Sequence, residues 1–463
     1  MSEASTRDVS RLFARAAFGA TKNDLAKWAG VEYDLVVESL FPPLEGRVPE
    51  PDEARRVALE GNQNGQADKR LAQRWWLDRM RIATYPLEER MTWFWHTHFA
   101  TAWNGPPNVN HLIRQNQTIR RNALGSFRTM VEELTIDGAM LHWLSGNTNK
   151  AGAVNENHAR ELFELFTAGT IPQRYDEDDV KEAAKALSGW YVLGDGKTDF
   201  SPGRHVQGKK HLGDGDGARE IGGHPPGSAA ERDEYKEVVD YALSLDSAPL
   251  FVAYKLVSSF AYVPASTDLV ARPDVLVTAV AAALGPNWDI RAAMRTLLKH
   301  SAFRDAPVGS YVRPPVELTV HLAKVMGIDC DPEAAVAVNP GSEAANHPIY
   351  PLLRMGQVPF EPPNVGGWPE DHRWLSATTT LGRYALPIQL DLAAKNQNAY
   401  AVNPLPASGD LAAWARFVGL GELEPLTEQQ VRAYLAAPAT TNEVVKQVGV
   451  LALLTTSPQW QVV

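Results

Sequence analysis

Val154-Asn-Glu-Asn-His-Ala-Arg-Glu-Leu-Phe-Glu-Leu-Phe-Thr167 reads as one amphipathic helix, and its pattern sets the fold class. Asn155 is placed to cap its start, and Glu156 in the first turn suits the positive end of the helix dipole. At about 100° per residue, Glu156, Asn157, Arg160, Glu161 and Glu164 crowd one face. Leu162, Phe163, Leu165 and Phe166 fill the other, with His158 at the border. The same recurrence runs outward along nearly the whole chain, while alternating apolar and polar runs are rare. An all-α fold follows: a large multi-helix domain, orthogonal or bundle-like.

Helices are expected over 8–18, 22–41, 72–84, 87–103, 111–135, 156–167, 177–188, 231–245, 249–261, 272–283, 290–300, 315–326 and 375–394. Punctuation supports the ends: Pro86 opens a helix where a missing N–H costs little, and Gly169 closes one where a left-handed cap is easy. The prolines of 42–52 mark a linker. The glycine-rich stretch 194–227 reads as a loop insertion, and 339–348 as a third break. The expected organisation is an N-terminal helical segment (1–41), a main helical domain (53–400) carrying the insertion, and a small C-terminal helical subdomain (411–463).

Composition narrows the partners. Hydrophobic residues make up 44% and charged residues 22%, which excludes disordered and coiled-coil classes. A formal net charge of −10 argues against nucleic acid, whose phosphates need a lysine and arginine field. No apolar run is long enough to span a membrane. The opening nineteen residues are charged throughout, without the apolar centre of a secretory signal, so a cytoplasmic location is expected. Cys330 is the only cysteine and lies between Asp329 and Asp331, where negative charge opposes thiolate formation; it reads as inert.

Familiar catalytic signatures are absent: no phosphate loop, no nucleophile elbow, no His-Glu-x-x-His zinc helix and no dinucleotide fingerprint. The run Gly213-Asp-Gly-Asp-Gly217 lacks the downstream glutamate of a calcium loop and reads as surface.

Four stretches carry candidate chemistry. In Thr92-Trp-Phe-Trp-His-Thr-His-Phe-Ala100, His96 and His98 point to different sides of a buried helix, and Glu89 shares the face of His96. Both histidines read equally as hydrogen-bonded core residues. On the 156–167 helix, His158 and Glu161 stand at i, i+3, a spacing that suits one metal ion. The plainer reading of that helix is a solvated face of Glu–Arg pairs. Arg114, Gln117 and Arg121 recur at helical spacing on 111–122, where arginine suits carboxylate or phosphate. Phe360-Glu-Pro-Pro-Asn-Val-Gly-Gly-Trp-Pro369 is a shaped loop whose Asn364 and Trp368 line a cleft or plug one.

Two functions compete. One is an enzyme with Glu156, Arg160 and Glu161 as catalytic groups and His96 and His158 as ligands of a divalent metal. Arg114, Asn155, Glu164, Asn364 and Trp368 would then bind an unidentified small molecule. The other is a noncatalytic peptide- or glycan-binding or maturation protein using the same polar helix and loop.

In collinear order, the chain resembles the bacterial family known as domain of unknown function eighteen-hundred. The landmarks are LFARAAFGAT (12–21), WFWHTHF (93–99), NALGSF (122–127), NENHARELFELF (155–166), DDVKEAAKALSGW (178–190), 205–213, PPNVGGW (362–368) and 451–459. The resemblance implies no reaction, because the family is named for its unknown role. Many members look exported. Ser145 stands where relatives tend to carry aspartate, and His158 where tyrosine or leucine is common.

Overall fold

Between Leu87 and His98 every side chain except Thr97 is buried, so helix Pro86–His98 runs through the interior rather than along the surface. The computed structural model describes residues 3–45, 66–105, 109–194, 196–214, 218–307, 309, 311–331, 347–437 and 442–462. Leu87, Met91, Phe94 and Trp95 pack into one hydrophobic cluster with helices Thr6–Ala16, Phe127–Thr135, Ser247–Phe260 and Ile290–Lys299. Trp93 belongs to a second cluster, with Trp75 and Trp76 of helix Gln66–Ile82, helix Pro315–Met326 and the C-terminal helices Leu411–Phe417 and Glu443–Thr456. The Pro86–His98 helix is thus the wall shared by both cores.

The chain is predominantly α-helical, as its periodicity dictates. Among the described residues the strands form two separate two-stranded antiparallel sheets. Both lie in or beside the glycine-rich stretch read as a loop insertion: Trp190–Val192 pairs with Thr198–Phe200, and Lys209–Leu212 with Arg219–Gly222. Gly196 and Gly213, at φ +83° and +76°, supply the turning backbone that side chains resist. The second hairpin is anchored inside by Lys210, whose ammonium pairs with buried Glu234 and lies 3.2 Å from His205 Nε2.

Several expected helices divide. The 22–41 segment becomes Lys22–Trp28 and Tyr33–Ser39, because the chain turns at Gly30 with φ +82°. The 111–135 segment becomes Val109–Asn122 and Phe127–Thr135, with the Gly125 N–H closing onto the Asn122 carbonyl at 2.9 Å. The helix expected to reach 103 stops at His98, and Trp103 donates its backbone N–H to the Phe360 carbonyl at 2.9 Å. Most of the 42–52 linker, most of the 339–348 break and the last three residues of the 213–217 run lie outside the described residues.

A helix buried on all sides has to neutralise its own charges. Glu89 accepts from Trp76 Nε1 at 2.6 Å, Arg79 Nε at 3.0 Å, and Arg120 Nη2 and Nε at 2.7 and 2.9 Å. Burial pushes its carboxyl up; Arg120, then Arg79 and Trp76, override that and hold it at about 2. The next residue, Arg90, donates to Glu317 Oε1 at 2.6 Å, again with both partners buried. Removing one member of such a set leaves buried charge uncompensated. Glu89→Gln is therefore expected to cost about 3–5 kcal/mol in urea unfolding. A loss below about 1 kcal/mol would show that the arginines reach other acceptors.

Candidate functional site

The segment after the Pro86–His98 helix is clasped by the 360–369 loop. Asn364 shapes the turn: its Oδ1 accepts from the Gly366 N–H at 2.9 Å and its carbonyl from the Gly367 N–H at 3.1 Å. Gly367, at φ +80°, lies so close to the helix that a Cβ there would come 2.4 Å from the Thr97 carbonyl oxygen. That approach seats Trp368 against Trp93, with ring centroids 5.0 Å apart and planes 28° apart.

His96 completes an aromatic cage. Its ring centroid lies 4.9 Å from Trp76, 5.4 Å from Phe360 and 5.8 Å from Trp368. Glu89 shares this face but is taken by the arginines; Trp76 touches both residues, donating to Glu89 and standing edge-on to His96. Burial alone holds the imidazole at about 3, so it is neutral, and among the described residues its buried Nε2 has no hydrogen-bond partner. His98 faces elsewhere and bonds through Nε2 to the Phe166 carbonyl at 2.9 Å.

That carbonyl belongs to an unusual turn. The 157–167 helix begins as α over Asn157–Glu161 and widens to a π-helix over Leu162–Thr167, with Thr167 Oγ1 donating to the Leu162 carbonyl at 2.6 Å. Single π turns concentrate at functional sites. Here the turn delivers the chain to Gly169, where a Cβ would come 2.5 Å from Phe251, and then to Thr170, Ile171 and Pro172.

These last residues form one rim of a cleft of about 380 Å³, a volume suited to a small ligand. Leu250, Phe251, Tyr254 and Lys255 of helix Ser247–Phe260 make its wall, and Trp368 and Glu370–Arg373 close it from the loop. Ile171, Val263 and Val270 stand at the rim 53%, 41% and 51% exposed, apolar surface left open to water. A smaller hollow, lined by Thr97, His98, Leu165, Lys255 and Glu370, adjoins through the residues it shares. Lys255 and Glu370 are both half-buried, and among the described residues neither forms an ion pair. Burial pushes the Tyr254 phenol up, Glu370 pushes it further, and Arg373 opposes.

The sequence-selected residues distribute unevenly over this geometry. Trp368 lines the cleft, while Asn364 spends its side chain on the loop and is otherwise exposed. Glu156, Arg160, Glu161 and Glu164 share one face, and Arg160 forks onto Glu177 of the next helix at 2.7 and 2.8 Å. It also lies 3.3 Å from Glu156 and 3.7 Å from Glu164. Glu161 is half-buried; burial pushes its carboxyl up, Glu164 adds to this, and Arg160 opposes. Asn155 does not cap the helix as expected, because the helix starts one residue later with Glu156 at the N-cap; its Oδ1 accepts from the Asn157 N–H at 3.0 Å just ahead of it, and Arg114 is exposed. His158 is buried beside Phe99, Leu134, Met140 and Phe166, with burial holding it at about 4, in surroundings separate from the His96 cage. Among the described residues no group of three His, Cys, Asp or Glu side chains is gathered as a metal site.

Lys255 was missed by sequence reasoning, although it is the single charged side chain of helix Ser247–Phe260 and that isolation is itself a signal. Glu370–Arg373 follow the selected loop directly.

Fold and cleft together define a helical protein with a mixed apolar and charged hollow placed where three segments meet. The chain belongs to the family described as "Protein of unknown function (DUF1800)", whose family model matches residues 11–462. No curated protein and no solved structure matches it. No helix among the described residues is long and apolar enough to cross a membrane.

The buried histidines set a pH dependence. His96 and His98 titrate near 3 in the folded chain and near 6.5 once exposed, so unfolding takes up protons below about pH 6.5. Stability present above that pH is lost as pH falls towards 3. His96→Phe, which removes one such group from the aromatic cage, should flatten the stability slope between pH 6 and 4.5 by about 1.4 kcal/mol per pH unit, one proton's worth. An unchanged slope in urea titrations would mean that His96 is already protonated when folded.

Proposed function

We propose that this chain is a noncatalytic binding protein whose cleft holds a short peptide segment. The observation that carries it is the exposed aliphatic rim of Ile171, Val263 and Val270 in the cleft that Lys255 and Glu370 also line, one charge of each sign and, among the described residues, neither ion-paired. Contiguous exposed apolar surface marks interaction sites. Aliphatic walls with two opposite charges suit peptide side chains and polar ends better than a glycan, which asks for flat aromatic platforms and dense hydrogen-bond donors. Selection from a random-peptide display library would test it. Sequences joining an aliphatic residue to a carboxylate should be enriched, and Leu250→Asp or Lys255→Ala should weaken a selected peptide about tenfold or more, the effect of 1.4 kcal/mol. Enrichment of no sequence class, or binding indifferent to both variants, would sink the reading.

A second reading has one observation in its favour: the half-buried Glu161 carboxyl is pushed up by burial and by Glu164, the direction that suits a general acid. In that reading Glu161 is the acid–base group, Glu156 and Arg160 position a polar substrate with Glu164, Asn155 and Arg114, and His158 serves a divalent metal without His96, which lies in its separate cage. Metal analysis of untagged protein separates the two. A stoichiometric transition metal lost in His158→Ala would favour the enzyme; metal-free protein with a working peptide site would favour the binder.

A further inference from the structure

The interior beside the second core holds several guanidiniums: Arg90, Arg313 and Arg383 are all nearly fully buried. Among the described residues Glu317 is the carboxylate that bears on all three, and it is paired to Arg90 at 2.6 Å. Burial lowers Arg313 and Arg383 to about 10, which leaves both charged at neutral pH. The groups that accept from Arg313 are neutral: the Trp460 carbonyl at 3.2 Å, the Glu317 carbonyl at 3.4 Å and His321 Nδ1 at 3.1 Å. Among the described residues its buried Nε has no hydrogen-bond partner. Arg383 likewise donates to the Trp374 carbonyl, Gln461 Oε1 and the Arg313 carbonyl.

Arg313 forms part of the wall of a second cavity, of about 250 Å³, far from the cleft in composition and sharing no lining residue with it. Arg7 and Arg11, one turn apart on helix Thr6–Ala16, line one side; Gly419–Pro425 and Trp460 line the other. Arg11 donates Nη1 to the Arg304 carbonyl at 3.2 Å and lies in the field of Asp8 and Asp305; among the described residues it makes no ion pair and its buried Nε has no hydrogen-bond partner. Trp460 fixes the deep end, with the Arg313 guanidinium 4.8 Å from its ring and His321 stacked on it at 5.2 Å. Glu422 and Glu424 are exposed at the mouth, so the charge changes from acidic outside to cationic within.

We infer that this cavity is a binding site for a small anion bearing a carboxylate or a phosphate, held by the guanidiniums of Arg11 and Arg313. Both guanidiniums keep their protons, the groups that accept from Arg313 are neutral, and planar N–H forks match these two oxyanions. The cavity is large enough for such a group with a few further atoms.

Isothermal titration of the full chain with sodium phosphate and, separately, sodium acetate at ionic strength matched by sodium chloride tests the site. Saturable binding of either salt, accompanied by a rise in melting temperature that chloride does not give, is expected. Phosphate alone responding would assign the site to phosphate monoesters, and acetate responding equally would assign it to carboxylates. Arg11→Met should weaken binding about tenfold or more, and Leu250→Asp in the separate cleft should leave it unchanged. Arg313→Lys keeps the charge but loses the fork, and should weaken binding if it folds; Arg11→Met decides the matter if it does not. No response beyond chloride, or undiminished binding in Arg11→Met, would overturn the assignment.

Discussion

The Glu89 carboxylate, enclosed by Arg79, Arg120 and Trp76, is the interaction on which the arrangement of the two cores depends. A helix can be buried on every side only when its charged side chains are answered from neighbouring elements. Glu89 draws in helices Gln66–Ile82 and Val109–Asn122, and Arg90 draws in helix Pro315–Met326 through Glu317. Apolar contacts alone would allow these helices to slide against the Pro86–His98 helix, since Trp, Phe and Leu surfaces are undirected. Four charge-assisted hydrogen bonds to one carboxylate fix both its rotation and its height. Whether the set adds net stability over an apolar filling is a separate matter, because desolvation of three charges consumes much of the gain.

From that fixed helix the cleft follows by close approach. Trp76, already committed to Glu89, presents its ring to His96, and the His96 cage receives Trp368 from the loop. Gly367 permits the contact because no side chain fits against the Thr97 carbonyl. On the far side of the same helix, His98 holds the Phe166 carbonyl and with it the π turn that leads to the rim. The cleft therefore inherits its shape from two histidines that are neutral and buried, which gives them an architectural part in any binding that occurs there.

The fold class was open to reading because a 3.6-residue period survives whatever the helices pack against. Pro86 and Gly169 marked true ends for the same reason: their backbone preferences are local. What periodicity could not show was the partner of each face. The polar side of the 157–167 helix was legible as a face, yet Glu177, which engages Arg160, comes from a separate helix and no spacing rule links the two. The divisions at Gly30 and Gly125 were visible as glycines but not as breaks, since isolated glycines occur within helices at modest cost. The π turn had no sequence mark at all. Conversely, Glu89 and His96 do share a face as their spacing requires; the two arginines that claim Glu89 arrive from other helices.

The buried arginines bear on how a chain of net charge −10 meets small anions. At physiological ionic strength surface charges are screened beyond about 8 Å, so most of the acidic exterior has little influence inside the Arg313 cavity. Glu422 and Glu424, exposed on the lining of the cavity itself, oppose entry. The interior guanidiniums lie in a poorly solvated place where each charge acts more strongly than at the surface. Attraction is then short-ranged and confined to the cavity, which separates recognition from long-range steering. An anion gains from the site only once it has passed the acidic mouth and shed water against Arg11 and Trp460, so discrimination falls on the shape of its oxygens and of the atoms behind them rather than on its net charge.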